Sequence, residues 1–434
     1  MEQKPITTNF SLIFRYEDAK ELGSRLSNHH SVVLIGIKRV GISNFLRFFI
    51  NRDDVIRNYV NDSKKHMFIA VNLNDLVECE IAPFWTLTLK RIVDAVEDSK
   101  IKEEVKKEIR AIFLESIQLQ DLFFTIDSVR ISINKIIQEG YLPTLFFIRF
   151  DRLGTSVTPE FFANLEGLRD SSHQQLSYVF TSFLPFKRIF PGVSSHAILS
   201  IAYKSIYIKP TKKEDTKIIF SAYKNRYGLK LGENLEKDFL DLVDGHFQYL
   251  QFGLISLHEP NKAINTKEEL KEHLVRDERI RLQSEELWEN LNQEEQNILL
   301  KIVNNQEVTK EEKKKGLYLW DTGFVAADRQ KLKIFSPLLE YYIKERRKED
   351  LKESGAEFSK KELIFFEFLK RNKDLICERE KIIEEVWPEA EELGISDWAI
   401  DKLAGRVRSK LKLQDNNFEL QTIKTRGYKL IEAK

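Results

Sequence analysis

Apolar residues along the chain fall into two kinds of stretch, short unbroken runs and longer segments in which they recur every three or four positions. The first kind predicts buried strands and the second amphipathic helices. The runs Ser31-Val-Val-Leu-Ile35, His66-Met-Phe-Ile-Ala-Val-Asn-Leu73, Leu142-Pro-Thr-Leu-Phe-Phe-Ile-Arg-Phe-Asp151, Leu176-Ser-Tyr-Val-Phe-Thr-Ser182 and Ser200 to Ile208 read as strands. Between them, residues 17–26, 43–51 and 81–96 read as helices, and the Lys/Glu-dense run 98–110 as a solvated helix face. Strand and helix in alternation predict a parallel sheet covered on both faces. Helical spacing continues through 212–227, 233–243 and 246–256, up to a turn-rich break at 259–267. An amphipathic helix over 291–303, a strand-like 331–335 and a Ser336-Pro-capped helix follow. The charged run 344–356, closed by Ser-Gly, reads as a linker, and a last patterned segment begins at Phe358.

Composition narrows the picture without choosing a chemistry. At 434 residues the chain predicts several domains, and 42% apolar with 32% charged residues describes a globular protein. No apolar run has the length of a membrane span and the start lacks a secretory pattern, so no membrane partner and a cytoplasmic location are expected. Cys79 and Cys377 are too far apart for a zinc or disulfide framework, and both are expected to be buried thiols. A net charge of +1 gives no global argument for a nucleic-acid partner, so such an argument rests on local asymmetry.

Candidate chemistry concentrates first at the end of the first strand. Gly36 and Gly41 with Ser43 have the spacing G-x-x-x-x-G-K-[ST] of a phosphate-cradling loop, but Ile42 occupies the lysine position. Glycines let backbone N–H groups turn toward an anion at a helix N-terminus. The missing lysine removes a charge-assisted contact of roughly 1.5–3 kcal/mol, about one to two decades of affinity. Lys38 and Arg39 are the cations left in the loop. With Gly36, Arg39, Val40, Gly41 and Ser43 in these places, the segment resembles the AAA+/STAND ATPases, whose loops commonly read Gly-Pro-Arg-Arg-Val-Gly-Lys-Thr. That resemblance implies a magnesium-binding Asp at the end of the third strand, for which Asp151 stands, followed by an acidic residue that polarises water. Arg152 occupies that second position, and Thr181 or Ser182 would fill a polar sensor position. It further implies a small helical lid after the sheet, with Asp244-Gly-His-Phe-Gln-Tyr249 at a helix junction, and then a winged helix.

The tail carries the second candidate. From Asp397 onward basic residues outnumber acidic ones, whereas glutamates crowd residues 378–392, so the segment is polarised. Lys402, Arg406 and Ser409 share one helix face suited to a major groove roughly 12 Å wide, and Lys424 and Arg426 sit at a hairpin tip. Ser359 with Glu362, Val386-Trp387, the run Asp401, Arg406, Arg408, Lys410 and Leu411, and then Thr422, Gly427 and Tyr428 occur in the order of OmpR/PhoB-type winged helices, which this segment resembles. Ala404 and Thr425 depart from that pattern. The resemblance implies double-stranded DNA as partner and Lys402, Arg406, Arg408, Ser409, Lys410, Lys424 and Arg426 as contact residues.

The expected architecture is multidomain α/β plus α+β. Residues 1–209 would be a P-loop NTPase-like parallel sheet with degenerate motifs, 210–265 a helical lid, 266–346 a central winged helix, 347–357 a linker and 358–434 a DNA-binding winged helix. The expected function is a DNA-binding, transcriptional regulator on a pseudo-ATPase scaffold, with no catalytic residues, metal or cofactor and with ATP and magnesium disfavoured. A nucleotide-binding STAND-type switch and a protein-docking scaffold are the alternatives, and a homo-oligomer or protein partner would use the ATPase-like domain.

Overall fold

The computed structural model describes residues 10–201, 204–258, 264–328, 331–352, 358–388, 397–413, 418–423 and 426–432. The chain forms two compact units, 1–261 with 316–335 and 262–315 with 336–434.

The first unit is built on a parallel sheet ordered β2-β3-β4-β1-β5, with β1 (Val32–Ile35), β2 (His66–Asn72), β3 (Leu142–Ile148), β4 (Ser177–Ser182) and β5 (Lys204–Tyr207). β1 and β4 are buried at every position because helices cover both faces, which is why they read as unbroken apolar runs. The connections are α2 (Ile42–Ile50), α3 (Asp53–Tyr59), α4 (Ile81–Glu97), α5 (Glu103–Leu119), α6 (Leu122–Gln138), α7 (Pro159–Ser171), α8 (Phe186–Ile189) and α9 (Ser195–Ile201), with α1 (Tyr16–Ser27) leading in. Phenylalanines fill the face beyond β3 and β4: Phe150 lies 4.8 Å from Phe180, 5.3 Å from Phe186 and 5.6 Å from Phe190, ring centre to ring centre. α5 and α6 form a helical hairpin that the periodicity shows only in part. The Lys/Glu run is not wholly solvated, since Lys106 is buried and donates to the Glu97 carbonyl at 3.0 Å.

After the sheet come α10 (Lys213–Tyr227), α11 (Glu233–Val243) and α12 (Phe247–His258), in the expected place of the lid. In the second unit α13 (Lys267–Arg276), α14 (Glu278–Glu289), α15 (Gln293–Val303) and α16 (Lys310–Lys315) follow. The chain then returns to the first unit for α17 (Leu317–Asp321) and the hairpin of β6 (Val325–Asp328) and β7 (Lys331–Ile334). The predicted central domain 266–346 is therefore divided, its hairpin grouping with the first unit. The reason is local: the Tyr318 hydroxyl donates to the Phe183 carbonyl at 2.7 Å, and Gly323, at φ 79°, turns so near Pro210 that a Cβ would stand 3.0 Å away. The linker reading also shifts. α18 runs Pro337–Lys352, so residues 347–352 continue a helix, as their Lys, Arg and Glu favour, and 353–357 lie outside the described residues.

The C-terminal part of the second unit contains α19 (Lys360–Arg371), β8 (Cys377–Glu378), α20 (Arg379–Val386), α21 (Asp397–Leu413), β9 (Phe418–Ile423) and β10 (Gly427–Glu432). Its antiparallel sheet runs β8-β10-β9. Phe365, Leu369, Ile382, Ile400, Leu403, Val407, Tyr428 and Leu430 form one core, the three-to-four spacing of α19 and α21 facing the hairpin. Ala404 sits fully buried in that core. Gly427 is fixed by proximity, because a Cβ there would stand 2.0 Å from the Cys377 carbonyl oxygen. Cys377 is buried as expected, and burial pushes its thiol pKa up, whereas Cys79 is only half-buried.

Two helical glycines give opposite expectations. In α1 a Cβ on Gly23 would stand 2.2 Å from the Tyr59 carbonyl oxygen, whereas Gly167 in α7 is exposed with nothing within 4 Å. Gly23→Ala should lower stability by about 1–3 kcal/mol and Gly167→Ala should raise it by about 0.5–1 kcal/mol, both read from urea midpoints.

Candidate nucleic-acid interface and phosphate loop

The connections leaving neighbours β1 and β4 run in opposite directions across the sheet, and the loop 36–41 lies at the carboxyl end of β1. In open α/β sheets this is where ligands bind. Gly36 donates to the Ser182 carbonyl at 3.2 Å and sits so close to β5 that a Cβ would lie 2.6 Å from the Ile208 oxygen. Arg39 (φ 61°) and Gly41 (φ 106°) both take left-handed backbone, and Gly41 caps α2. The strand, loop and helix therefore form as the spacing predicts. Ser43 stands in the first turn of α2 beside Ile42, both half-buried.

Two residues that sequence reasoning missed hold this loop. Arg15 is buried and donates to the carbonyls of Val40 at 3.4 Å and Lys209 at 3.0 Å while pairing with Asp18 at 2.8 Å. His246, fully buried at the start of α12, meets the Lys38 carbonyl through Nε2 at 3.0 Å and accepts the Tyr249 N–H on Nδ1 at 3.3 Å. With Nδ1 accepting, Nε2 carries the proton. Burial drives its pKa down to about 3, against a smaller upward pull from the Lys38 carbonyl. Phe247 then covers the glycine, its Cβ 3.2 Å from where a Gly41 Cβ would be. The Lys38 ammonium stands 4.6 Å from the centre of the Phe183 ring.

Asp151 requires a correction. β3 closes at Ile148, and Arg149 turns the chain with left-handed backbone (φ 63°), so Asp151 lies in the following 3-10 segment Phe150–Ser156 and not at the strand end. Its buried carboxylate accepts from Arg149 Nε at 3.3 Å and Nη2 at 3.1 Å. Arg152 reaches Asn74 at 3.1 Å and the Cys79 sulfur at 3.8 Å. Thr181 accepts the Arg149 N–H at 2.8 Å and the Ser182 hydroxyl donates to the Leu184 carbonyl, so both hydroxyls shape the turn. Among the described residues no group of His, Cys, Asp and Glu could hold a metal ion.

In the second unit, Ser359 and Glu362 form a capping box at the start of α19. The buried Glu362 also accepts Lys410 at 2.8 Å and Arg406 Nε at 3.2 Å, although both cations come from α21. Arg408 donates to the Leu420 carbonyl and the Thr422 hydroxyl, each at 2.9 Å, tying α21 to β9. Arg408 and Lys410 are thus fastened within the domain. Lys402 lies 3.0 Å from Glu289 of α14, and Arg406 pairs with Glu285 of the same helix. Ser409 is exposed and donates to the Gly405 carbonyl at 3.1 Å. Arg426 is exposed at the hairpin turn, 3.9 Å from Glu378, and Lys424 lies outside the described residues. Glu278 links α14 to α19 through Lys361 at 2.7 Å. Burial would raise its pKa, but Arg281 and Lys361 outweigh burial and hold it near 2.

Three helices and an antiparallel hairpin closing on α21 give the described residues of 358–432 the arrangement of a winged helix, in one chain with a parallel-sheet α/β unit. Residues 353–430 match the family described as "Transcriptional regulatory protein, C terminal". No curated protein sequence matches the chain. Among solved structures, the chain is similar to a Walker-type ATPase of Pyrococcus abyssi (16% identity, 76% of this chain and 96% of that one, TM-score 0.47). It is also similar to the ORC2 protein of Aeropyrum pernix in its ADPNP-ADP complexes (11%, 81% and 99%, TM-score 0.47). A third is the ORC1 protein of Aeropyrum pernix in complex with DNA (9%, 96% and 88%, TM-score 0.36). Among the described residues no helix is long and apolar enough to cross a membrane.

His246 sets a pH dependence. Its folded pKa near 3 lies below the unfolded value of 6.5, so below pH 6.5 the unfolded chain takes up a proton that the folded chain refuses. Stability should fall as pH drops from 6.5, by up to about 1.4 kcal/mol per pH unit. The His246→Gln variant should lose less of its urea midpoint between pH 7 and pH 5 than the wild type loses.

Proposed function

We propose that the chain is a DNA-binding transcriptional regulator that contacts duplex DNA through α21 and the β9–β10 hairpin. The observation that carries this reading is the coincidence of the family match over 353–430 with a winged helix whose outward cations are Lys402, Arg406 and Arg426. In this arrangement a helix enters the major groove and the hairpin reaches the backbone beside it. Arg408 and Lys410 keep α21 seated on the domain, so the groove-facing set reduces to Lys402, Arg406 and Ser409, with Arg426 on the hairpin.

The N-terminal unit acts in this reading as an ATPase-like scaffold that does not turn over nucleotide. Ile42 provides no charge for a terminal phosphate, Asp151 is occupied by Arg149, and Arg152 stands in place of an acid. The loop's shape is kept by Arg15 and His246, whose bonds to it are internal and independent of a bound anion.

Two measurements test these statements. Lys402→Ala with Arg426→Ala should weaken binding to duplexes of every sequence by about ten- to a hundredfold and reduce the slope of affinity against salt by about two. Normal binding by that folded double variant refutes the assigned face. Labelled ATP with magnesium should show no turnover, and release of labelled phosphate by the wild-type chain ends the scaffold reading.

A further inference from the structure

The outward cations of α21 already have an anionic partner inside the same unit. Lys402 meets Glu289 at 3.0 Å and Arg406 meets Glu285, while Lys361 of α19 meets Glu278 at 2.7 Å. The three glutamates follow one another along α14 at spacings of seven and four residues, which places them on a single helix face. At about 1.5 Å per residue they span roughly 16 Å. α14 thus offers α21 what a DNA strand offers it, a row of fixed negative charges. Glu289 is further held by Arg346 of α18 at 3.3 Å, so the row is anchored in the body of the unit.

We propose that α14 is an intramolecular competitor of DNA: docked on α14, α21 is autoinhibited, and DNA binding requires Lys402 and Arg406 to exchange Glu289 and Glu285 for phosphates or bases. This rests on the reading that α21 contacts DNA. The contact is suited to exchange. The Lys402 and Glu289 side chains remain 41% and 23% exposed, and an ion pair of that kind is weak singly and screened by salt. Arg406, 40% exposed, meets a buried Glu285 carboxylate and forms the less screened half of the contact. The bonds that keep α21 in its own domain, Arg408 to Leu420 and Lys410 to Glu362, do not involve α14 and survive release. A duplex carries a far denser row of charges than α14 and can displace it once a first pair opens.

The test uses the full chain and a labelled duplex. Glu285→Gln with Glu289→Gln preserves side-chain shape and should tighten binding by about tenfold, equivalent to one decade of dissociation constant. Glu278→Gln, which pairs with α19 and not with α21, should tighten it in the same direction. The exposed pair Glu268→Gln with Glu272→Gln on α13 removes the same charge elsewhere and should leave affinity near that of the wild type. Equal affinity for the α14 and α13 double variants overturns autoinhibition. Arg426→Ala reads the DNA contact independently, because Arg426 pairs with Glu378 of its own domain: it should weaken wild type and α14 variant by the same factor. If neither the wild type nor any α14 variant binds duplex, the DNA reading itself fails and the proposal falls with it.

Discussion

One buried carboxylate, Glu362, organises the C-terminal domain. It closes the capping box of α19 by accepting the Ser359 N–H at 2.8 Å, and it receives Lys410 and Arg406 from α21. Burial raises its pKa, and the hydrogen bonds and charge of Lys410 together with the Ser359 hydrogen bonds more than reverse that effect, leaving it below the ordinary carboxylate range. Charge-assisted hydrogen bonds of about 1.5–3 kcal/mol each must here offset the several kcal/mol that desolvating such ions costs. The register of α21 against α19 is therefore specified by an ionic knot as well as by apolar packing, and the orientation of the outward face follows from that register.

A different economy operates in the first unit. The phosphate loop is held by its backbone carbonyls: Arg15 takes the oxygens of Val40 and Lys209, and His246 takes that of Lys38. Gly36 admits the close approach of β5 and Gly41 the left-handed turn into α2. None of these constraints needs a lysine at Ile42 or a free carboxylate at Asp151. A loop so braced is held by bonds internal to the chain.

The apolar runs showed β1 and β4 because parallel strands buried on both faces read as unbroken apolar segments. The run Ser200 to Ile208 overran, since α9 continues to Ile201 and β5 begins at Lys204. Local caps were legible too, since Ser359 with Glu362 lies within one helical turn. What the sequence concealed is non-local or lies in the backbone. Arg149 adopts a positive φ that its side chain does not favour, and this ends β3 early and moves Asp151 into the turn. His246 serves the loop across 208 residues, and Lys402 finds Glu289 across 113. The hairpin of α5 and α6 was blurred because Leu114, Ile117, Leu119 and Phe123 lie exposed, which breaks the match between apolar spacing and burial.

The cations of α21 divide into two populations with different electrostatic tasks. Arg408 and Lys410 spend their charge on a carbonyl, a hydroxyl and Glu362, so they define where the helix lies and add little to the field outside it. Lys402 projects outward and is compensated by Glu289, while Arg406 shares in both tasks, paired with Glu285 of α14 and with the domain's own Glu362. In a chain whose net charge is +1, such pairing weakens the long-range attraction that these two cations exert on a polyanion. Recognition would then be governed by short-range exchange of one row of anions for another. On that proposal the strength of the α14 contact, together with the number of cations that meet phosphate, would set how much salt or competing anion the complex tolerates.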